Sequence, residues 1–149
     1  LRNFMTVRFG NIFIRTRLIE GEFPNYRRVI PTQFTSAVTL NRQEFTASVE
    51  RASIVAKDAQ YNVINFAIQD DQISLTSQHP DYGTIEDSVP CQIEGESIRI
   101  AFNGKFVLDI LKHCHSEEIV LRLKASSPML VQDKDEQNCV FVVTPMRAK

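Results

Sequence analysis

The 149-residue sequence lacks several features that mark common functional classes. Its 17 basic and 18 acidic residues leave a net charge of -1, so the molecule as a whole has no electrostatic attraction to phosphate. Its longest purely apolar run is CVFVV at 139–143, far shorter than the roughly 20 residues of a membrane-spanning helix. We expect a soluble, cytoplasmic protein, in which any role on nucleic acid rests on local charge or on geometry.

The chain also has few cysteines, and no secretory signal precedes them. Cys91, Cys114 and Cys139 are an odd and widely spaced set, which favours reduced thiols in the cytosol over a disulfide framework. His113 and His115 flank Cys114, but consecutive residues at a helix end point in different directions, and zinc needs four converging ligands. We therefore predict no metal site.

Motifs for catalysis are missing as well. The sequence contains no glycine-rich phosphate loop and no Ser or Cys nucleophile motif. The carboxylate pairs Asp70-Asp71 and Glu117-Glu118 fall in predicted turns, where solvent surrounds them. We expect no cofactor and no enzymatic activity.

Apolar residues make up 43% of the chain, which is enough to build the core of one full domain. Residues 7–19 alternate between apolar and polar side chains, which predicts a half-buried strand, with a tight turn or bulge at Gly10-Asn11. From Glu20 to Thr35 the periodicity stops, and Pro24 and Pro31 punctuate the segment. We interpret it as a connector that contains a domain boundary.

A first helix is predicted to begin at Arg42, after a short strand at 37–40. Asn41 fits an N-cap, and Glu44 stands at the position of a capping-box partner. One apolar stripe at helical spacing consists of Phe45, Val49, Ala52 and Ala56. Ile54 and Val55 lie outside the stripe, so we expect both to be exposed and to face a partner.

The rest of the chain repeats this order. A hairpin over 64–76 is predicted to turn at Asp70-Asp71, and residues 84–93 predict one further strand. A second strand, Asn cap and amphipathic helix follow, with Asn103 lying 62 residues after Asn41, and the last strands are at 118–125, 127–132 and 139–145. We infer a duplicated β-α-β-β-β unit, which makes one α+β domain with two helices on one face of antiparallel sheets.

Three motifs resemble those of the bacterial sliding clamps, the beta subunits of DNA polymerase III, in the right order and spacing. They are RTRLIEGEFPNYRRVIP at 15–31, FNGKFVLDIL at 102–111 and VVTPMR at 142–147. The resemblance implies the DNA clamp fold, in which each subunit has three similar domains. It implies that this chain holds the end of the middle domain (1–22), an interdomain linker (23–35) and the third, C-terminal domain (36–149), without the first domain and most of the middle one.

The resemblance also implies a function. Two clamp subunits close head to tail into a homodimeric ring around double-stranded DNA and give the replicative polymerase its processivity. Partners dock by short Gln- and Leu-containing segments; they include the polymerase III catalytic subunit, the clamp loader, other polymerases and repair proteins. A ring that encloses DNA is retained by topology, so the near-neutral charge of this chain presents no difficulty.

The implied peptide-binding cleft lies between the middle and third domains. The residues carried over by motif are Pro24, Arg28, Val29, Tyr61, Asn103, Phe106, Met129, Leu130, Val142, Val143, Thr144, Pro145, Met146 and Arg147. Aliphatic, Met and aromatic surfaces of this kind accept apolar anchors adaptably. Val142 and Val143 alternate within a strand, so at least one belongs to the core. The family often has Tyr at Phe106 and Phe at Tyr61, and another part of its cleft comes from a middle-domain loop, so we expect weakened peptide affinity.

Two further surfaces are implied by the resemblance. Ring closure would use Ile54, Val55, Asp81, Glu86 and Asp87 against the first domain of the neighbouring subunit, so we expect the chain alone not to close a ring. The cations that would face DNA are Arg42, Arg51, Lys57, Lys105 and Lys112. Judged by the residues alone, the acidic strand is equally well interpreted as a solvated face. The alternatives for the whole chain are a stand-alone peptide-binding interaction domain that shares the fold and a small enzyme without a recognisable motif.

Overall fold

The computed structural model describes residues 3–56, 62–136 and 138–146. Its strands, in chain order, are β1 (Phe4–Phe9), β2 (Ile12–Arg17), β3 (Ser36–Asn41), β4 (Val63–Gln69), β5 (Gln72–His79), β6 (Gly83–Pro90), β7 (Gln92–Gly95), β8 (Ile98–Asn103), β9 (Glu118–Leu123), β10 (Met129–Asp133) and β11 (Phe141–Val143). The helices are α1 (Arg42–Ala56) and α2 (Gly104–Leu111), and a 3-10 helix spans Tyr26–Arg28. No helix in these residues is long and apolar enough to cross a membrane.

The two predicted units are β3-α1-β4-β5-β6 and β8-α2-β9-β10-β11, and each gives its first strand to the sheet of the other. A four-stranded sheet has the order β6-β5-β4-β8, and a five-stranded sheet has the order β11-β10-β9-β3-β7. Both exchanged strands pair antiparallel, β8 with β4 and β3 with β9. The duplicated α+β architecture is confirmed. Because of the exchange, neither unit completes its sheet without the other.

The two long helices start in the same way. Asn41 Oδ1 accepts hydrogen bonds from the backbone N–H groups of Gln43 (2.9 Å) and Glu44 (3.1 Å). Asn103 Oδ1 accepts from Lys105 (2.9 Å) and Phe106 (3.4 Å). Each cap satisfies amide donors that have no partner within the helix. Both predicted N-caps are confirmed.

One core joins the two units. The predicted stripe of α1 is buried along its whole length, and α1 packs on α2 as well as on β4, β5 and β6. The ring of Phe66 contacts those of Phe45 and Phe102, with centroids 6.1 Å and 5.6 Å away. Burial of each large apolar side chain contributes roughly 1.5–3 kcal/mol. The contact between Phe66 and Phe102 therefore helps to hold the two units together.

The segment 84–93 is two strands rather than the one predicted. β6 ends at Pro90 and belongs to the four-stranded sheet, whereas β7 pairs with β3 in the other sheet. Proline lacks the N–H that a sheet ladder needs, which favours a break at this point. Between the strands, the N–H of Cys91 donates to the carbonyl of Asp71 at 2.9 Å. Burial raises the pKa of the Cys91 thiol to about 11, so the thiol stays protonated.

The turn at Asp70-Asp71 is confirmed, and its geometry shows why two residues suffice. Asp70 and Asp71 both have positive φ, +52° and +54°, as a type I′ hairpin turn requires. Asp tolerates this left-handed region better than most residues. The turn brings Gln69 opposite Gln72 and thereby sets the register of β4 on β5.

The segment 7–19, predicted as one half-buried strand, contains the end of β1, a turn and β2, and the prediction of half-burial is wrong because both strands are exposed. β1 and β2 form a two-stranded sheet with the turn at Gly10-Asn11, where Gly10 has φ +56°. Apolar side chains are exposed on both of its faces, among them Phe9, Ile12, Phe13 and Ile14. An isolated two-stranded hairpin is marginally stable at best in water. Its apolar surface is left uncovered by the rest of the described chain.

Candidate functional site

The last described segment crosses from one sheet to the other. β11 is an edge strand of the five-stranded sheet, and three residues after its end Met146 donates its N–H to the carbonyl of Ala101, 2.7 Å away. Ala101 lies in β8, the edge strand of the four-stranded sheet. Pro145 and Met146 line a cleft of about 1110 Å³ against that sheet. Residues 142–146 therefore connect the edges of both sheets.

The register of β11 on β10 decides which residues face this site. Val143 pairs with Met129, and Val142 pairs with Leu130, and the members of each pair point to the same face of the sheet. Met129 and Val143 are part of the main core, whereas Leu130 is buried outside it and Val142 is half-buried. The expectation that one of the two valines belongs to the core is confirmed for Val143.

This register corrects the predicted peptide contacts. The side chains of Met129 and Val143 are buried in the core, so they do not offer surface to a ligand. Leu130 is also buried, with 5% of its surface exposed. Val142 and Phe141 stay partly accessible at this sheet edge, and Phe141 packs against the core.

The start of α2 lies beside the C-terminal segment. Asn103 and Ala101 are two residues apart in β8, so they share a face of the strand. Phe106, in the first turn of α2, keeps 55% of its ring surface exposed. α2 also contacts β11. The amide of Asn103 thus lies two residues from the strand position that binds Met146, and the exposed ring of Phe106 lies in the helical turn that Asn103 caps.

The linker part of the predicted cleft is exposed. Pro24, Arg28 and Val29 lie in or beside the 3-10 helix, in which the N–H of Val29 donates to the carbonyl of Tyr26 at 3.0 Å. The linker joins the domain at Thr35, whose N–H donates to the carbonyl of Leu123 at 2.9 Å. Tyr61 and Arg147 lie outside the described residues. The structure therefore brings together the β8, α2 and C-terminal parts, and the linker part stays a prediction.

The predicted ring surface is only partly exposed. Ile54 is 70% exposed, as expected, but Val55 is 7% exposed and therefore buried. The expectation for Val55 is wrong because α1 packs on β5 and β6 in addition to α2, which makes its buried face wider than the sequence stripe. Asp81 and Glu86 are exposed, and Asp87 is half-buried.

Asp87 has a partner within the chain. Both Nε and Nη2 of Arg51 contact its Oδ2, at 2.7 Å and 2.6 Å. Burial by itself would raise the pKa of Asp87, but the hydrogen bonds it accepts, chiefly from Arg51, outweigh burial and lower that pKa. Arg51 was predicted to face DNA and Asp87 to face a neighbouring subunit. In this structure they bind each other.

Other predicted DNA-facing cations are also engaged. Arg42 donates from Nε to the carbonyl of Ser116 at 2.8 Å, and Lys112 Nζ lies 3.1 Å from Asp109 Oδ1. Lys105 is exposed and has no ion-pair partner in the part of the chain that the structure describes. Lys57 lies outside the described residues. Arg51 and Lys112 are thus paired with carboxylates, whereas Arg42 and Lys105 have no carboxylate partner among the described residues.

The His113–His115 segment is occupied by structural contacts. The buried carboxylate of Asp133 accepts the backbone N–H groups of His115 at 3.0 Å and Ser116 at 2.9 Å. The ring Nδ1 of His113 lies 2.7 Å from the carbonyl of Asp109. Burial raises the pKa of Cys114 to about 11, so this thiol also stays protonated.

The sequence reasoning missed the part of the cleft that lies on the four-stranded sheet. Asn65, Thr76 and Arg99 line it together with Met146. Small and polar residues alternate with apolar ones in β4 and β5, and this pattern indicates an open sheet face. It gives no sign that the distant residue Met146 borders that face.

Comparisons with known proteins agree with this architecture. The beta sliding clamp of Staphylococcus aureus is 29% identical over 147 residues, which are 97% of this chain and 39% of that protein. The crystal structure of the DNA polymerase III beta subunit from Thermotoga maritima matches with a TM-score of 0.93 and 33% identity, over 99% of this chain and 40% of that one. A sliding clamp from Bartonella birtlesii bound to griselimycin matches with a TM-score of 0.92 and 30% identity, over the same shares of the two chains.

The chain thus spans about two fifths of the length of the relatives it matches. A family model described as the DNA polymerase III beta subunit, C-terminal domain, matches residues 27–147. That range includes both β-α-β-β-β units, the two Asn caps and the crossing segment at Met146. The chain belongs to the DNA polymerase III beta subunit family, and the part that matches is its C-terminal domain.

Proposed function

We propose that this chain acts as part of a DNA sliding clamp, a non-enzymatic cytoplasmic protein that encircles double-stranded DNA as a homodimeric ring and confers processivity on the replicative polymerase. Family membership and the duplicated fold support this proposal. The net charge of -1 fits it as well. A ring held by topology needs only weak, sequence-independent contact with phosphates, and such contact allows sliding.

The C-terminal crossing is the observation that carries the docking role. Val142, Pro145 and Met146 offer partly accessible apolar surface where this segment meets β8, and Phe106 is exposed in the helical turn that Asn103 caps. Such a surface suits a short peptide with apolar anchors and a few polar groups. In our proposal the polymerase, the clamp loader and repair proteins bind there in turn. A family member with griselimycin bound supports the presence of a ligand site in this family.

The exposed hairpin supports the proposed domain organisation. One of its faces, which includes Val7, Phe9 and Ile14, is apolar and uncovered, as expected for strands that complete a sheet of another domain. We assign residues 1–22 to the end of the middle clamp domain, 23–35 to the linker and 36–149 to the third domain. The exposed Ile54 and the exposed acidic Asp81 remain the candidates for contact with a neighbouring subunit.

Peptide binding is the experiment that tests the docking role. A fluorescein-labelled peptide with a Gln- and Leu-containing core is titrated with the chain, and fluorescence polarisation is measured. We expect Phe106→Ala and Met146→Ala each to weaken binding by about tenfold, since each removes an apolar contact worth about 1–2 kcal/mol. Ile54→Ala is the matched control, because it removes an exposed apolar side chain from the end of α1.

The control should bind like the unmodified chain. Equal binding by all four proteins contradicts the assignment of the cleft. Thermal unfolding of each variant, followed by circular dichroism, shows that a loss of binding does not reflect a loss of fold.

A further inference from the structure

The cleft at Met146 continues over the outer face of the four-stranded sheet. Met146 lies beside Ala101, and the strand register then places Ala101 opposite Asn65, Asn65 opposite Thr76 and Thr76 opposite Glu86. This row crosses β8, β4, β5 and β6 in turn, and all five residues line the same cleft. A ligand held at Met146 can therefore extend across the sheet without leaving the cleft.

The two ends of this extension carry opposite charges. Arg99 lies two residues before Ala101 on the same face of β8, and Glu86 lies on β6 at the far end. Among the described residues neither Arg99 nor Glu86 forms an ion pair, although both line the cleft. The lining between them is neutral, and Asn65 and Thr76 offer hydrogen-bonding groups there. The surface thus presents one positive and one negative side chain, neither of which is in an ion pair among the described residues, at positions fixed by the sheet.

The separation suits a short extended peptide. Neighbouring strands lie about 4.8 Å apart, so the three steps from β8 to β6 cover about 14 Å. An extended chain advances about 3.3 Å per residue, so about four residues span this distance. An acidic side chain at the near end and a basic one about four residues farther on would meet Arg99 and Glu86.

We propose that this surface, which consists of Asn65, Thr76, Glu86 and Arg99, binds the residues that flank the docking peptide of a partner protein and selects an acidic residue near the core and a basic residue about four positions away. The inference rests on the proposed docking role of the cleft. A peptide flank is the occupant because the surface is continuous with the site of the peptide core at Met146. In this proposal Glu86 selects the partner peptide rather than contributing to ring closure.

Three labelled peptides with the same Gln- and Leu-containing core test this. One has no flank, one has a flank with Glu next to the core and Lys four residues farther on, and one has these two residues exchanged. The flank is attached at either end of the core in parallel sets. Polarisation titrations use the unmodified chain, Arg99→Glu, and Arg17→Glu as a control with the same charge change on the exposed hairpin.

We expect the Glu-first flank to tighten binding to the unmodified chain by about threefold to tenfold over the bare core. Arg99→Glu should abolish this gain while binding the bare core normally, and Arg17→Glu should keep it. The double variant Arg99→Glu, Glu86→Lys should prefer the exchanged flank. If the bare core binds but neither flank changes its affinity, the extension is wrong and the docking role stands. If the bare core itself does not bind, the docking role fails and the extension fails with it.

Discussion

The two β-α-β-β-β units of this chain have the same order of elements, but they end differently. In the first unit α1 has 15 residues and the last strand, β6, has 8, which leaves a long edge on the four-stranded sheet. In the second unit α2 has 8 residues and β11 has only 3. The short β11 releases the chain so that Met146 can reach β8. The shared interior determines the fold, whereas the different ends determine where a ligand site can form.

The interior is nearly symmetric between the units. Asn41 and Asn103 cap their helices with the same pair of hydrogen bonds, and the exchanged strands β3 and β8 each pair with the strand that follows the other unit's helix. Ile54 near the end of α1 and Phe106 at the start of α2 are exposed apolar side chains with different surroundings. Phe106 belongs to the helix that contacts β11, which leads into the crossing segment, whereas Ile54 belongs to α1, which packs on β4, β5, β6 and α2. Mutations can therefore separate effects on the common core from effects on one end.

The largest effect is expected for Phe102→Ala. Phe102 lies on the exchanged strand β8, is fully buried and packs on Phe66 of the other unit, so its removal should lower the free energy of unfolding by about 3–5 kcal/mol. Phe106→Ala, four residues away, should change it by less than about 0.5 kcal/mol, because that ring is exposed. Urea unfolding of both variants measures the difference. Similar losses of unfolding free energy in the two variants would contradict the assignment of Phe102 to the core and of Phe106 to the surface.

A smaller loss of stability is expected when the helix caps are removed, and the two caps should differ in their effect on peptide binding. Asn41→Ala and Asn103→Ala should each lower the free energy of unfolding by about 0.5–2 kcal/mol, since each leaves two amide donors of a first helical turn unsatisfied. Urea unfolding measures the stability, and polarisation titration with the core peptide measures binding. Only Asn103→Ala should also weaken the binding of the peptide. Weaker binding by both variants would show that binding reports stability rather than the site.

The smallest effect is expected at the Arg51–Asp87 ion pair of the first unit. Asp87→Asn should lower the free energy of unfolding at pH 7 by about 0.2–1 kcal/mol, because the pair is partly exposed. The folded-state pKa of Asp87 lies below its ordinary value of 3.8, so the carboxylate contributes stability above that value and loses it as the pH falls through the folded-state pKa. Urea unfolding from pH 7 into the acid range should show the two proteins converging at the acid end. A difference that grows on acidification would contradict this sign.

Local chemistry predicted much of the fold from the sequence. The N-caps at Asn41 and Asn103, the buried stripe of α1 and the turn at Asp70-Asp71 depend on neighbouring residues, so the sequence pattern was sufficient for them. The exchange of β3 and β8 depends on pairing between residues far apart in the chain, and so does the assignment of β7 to the other sheet. Periodicity within a segment carries no information about which distant strand it joins.

The same limit applies to the candidate site. Family resemblance supplied the residues of the C-terminal segment, but the exposure of Val142 and the burial of Val143 follow from the register of β11 on β10. Val55 was expected on the surface because the apolar stripe in the sequence indicates a single buried face of α1. The helix packs against several elements, so its buried face is wider than the stripe. Arg99 was missed because its importance depends on the contact between Met146 and Ala101, which are 45 positions apart.

The most direct test of the account maps the peptide on the chain by nuclear magnetic resonance. The chain is labelled with nitrogen-15 and titrated with the Gln- and Leu-containing core peptide, and the amide chemical shifts are followed. We predict that the largest shift changes fall at 101–106 and 142–146, with little change at Ile54 and in the β1–β2 hairpin. Changes centred on the hairpin or on the end of α1, with none at 142–146, would contradict the claim that the second unit carries the docking site.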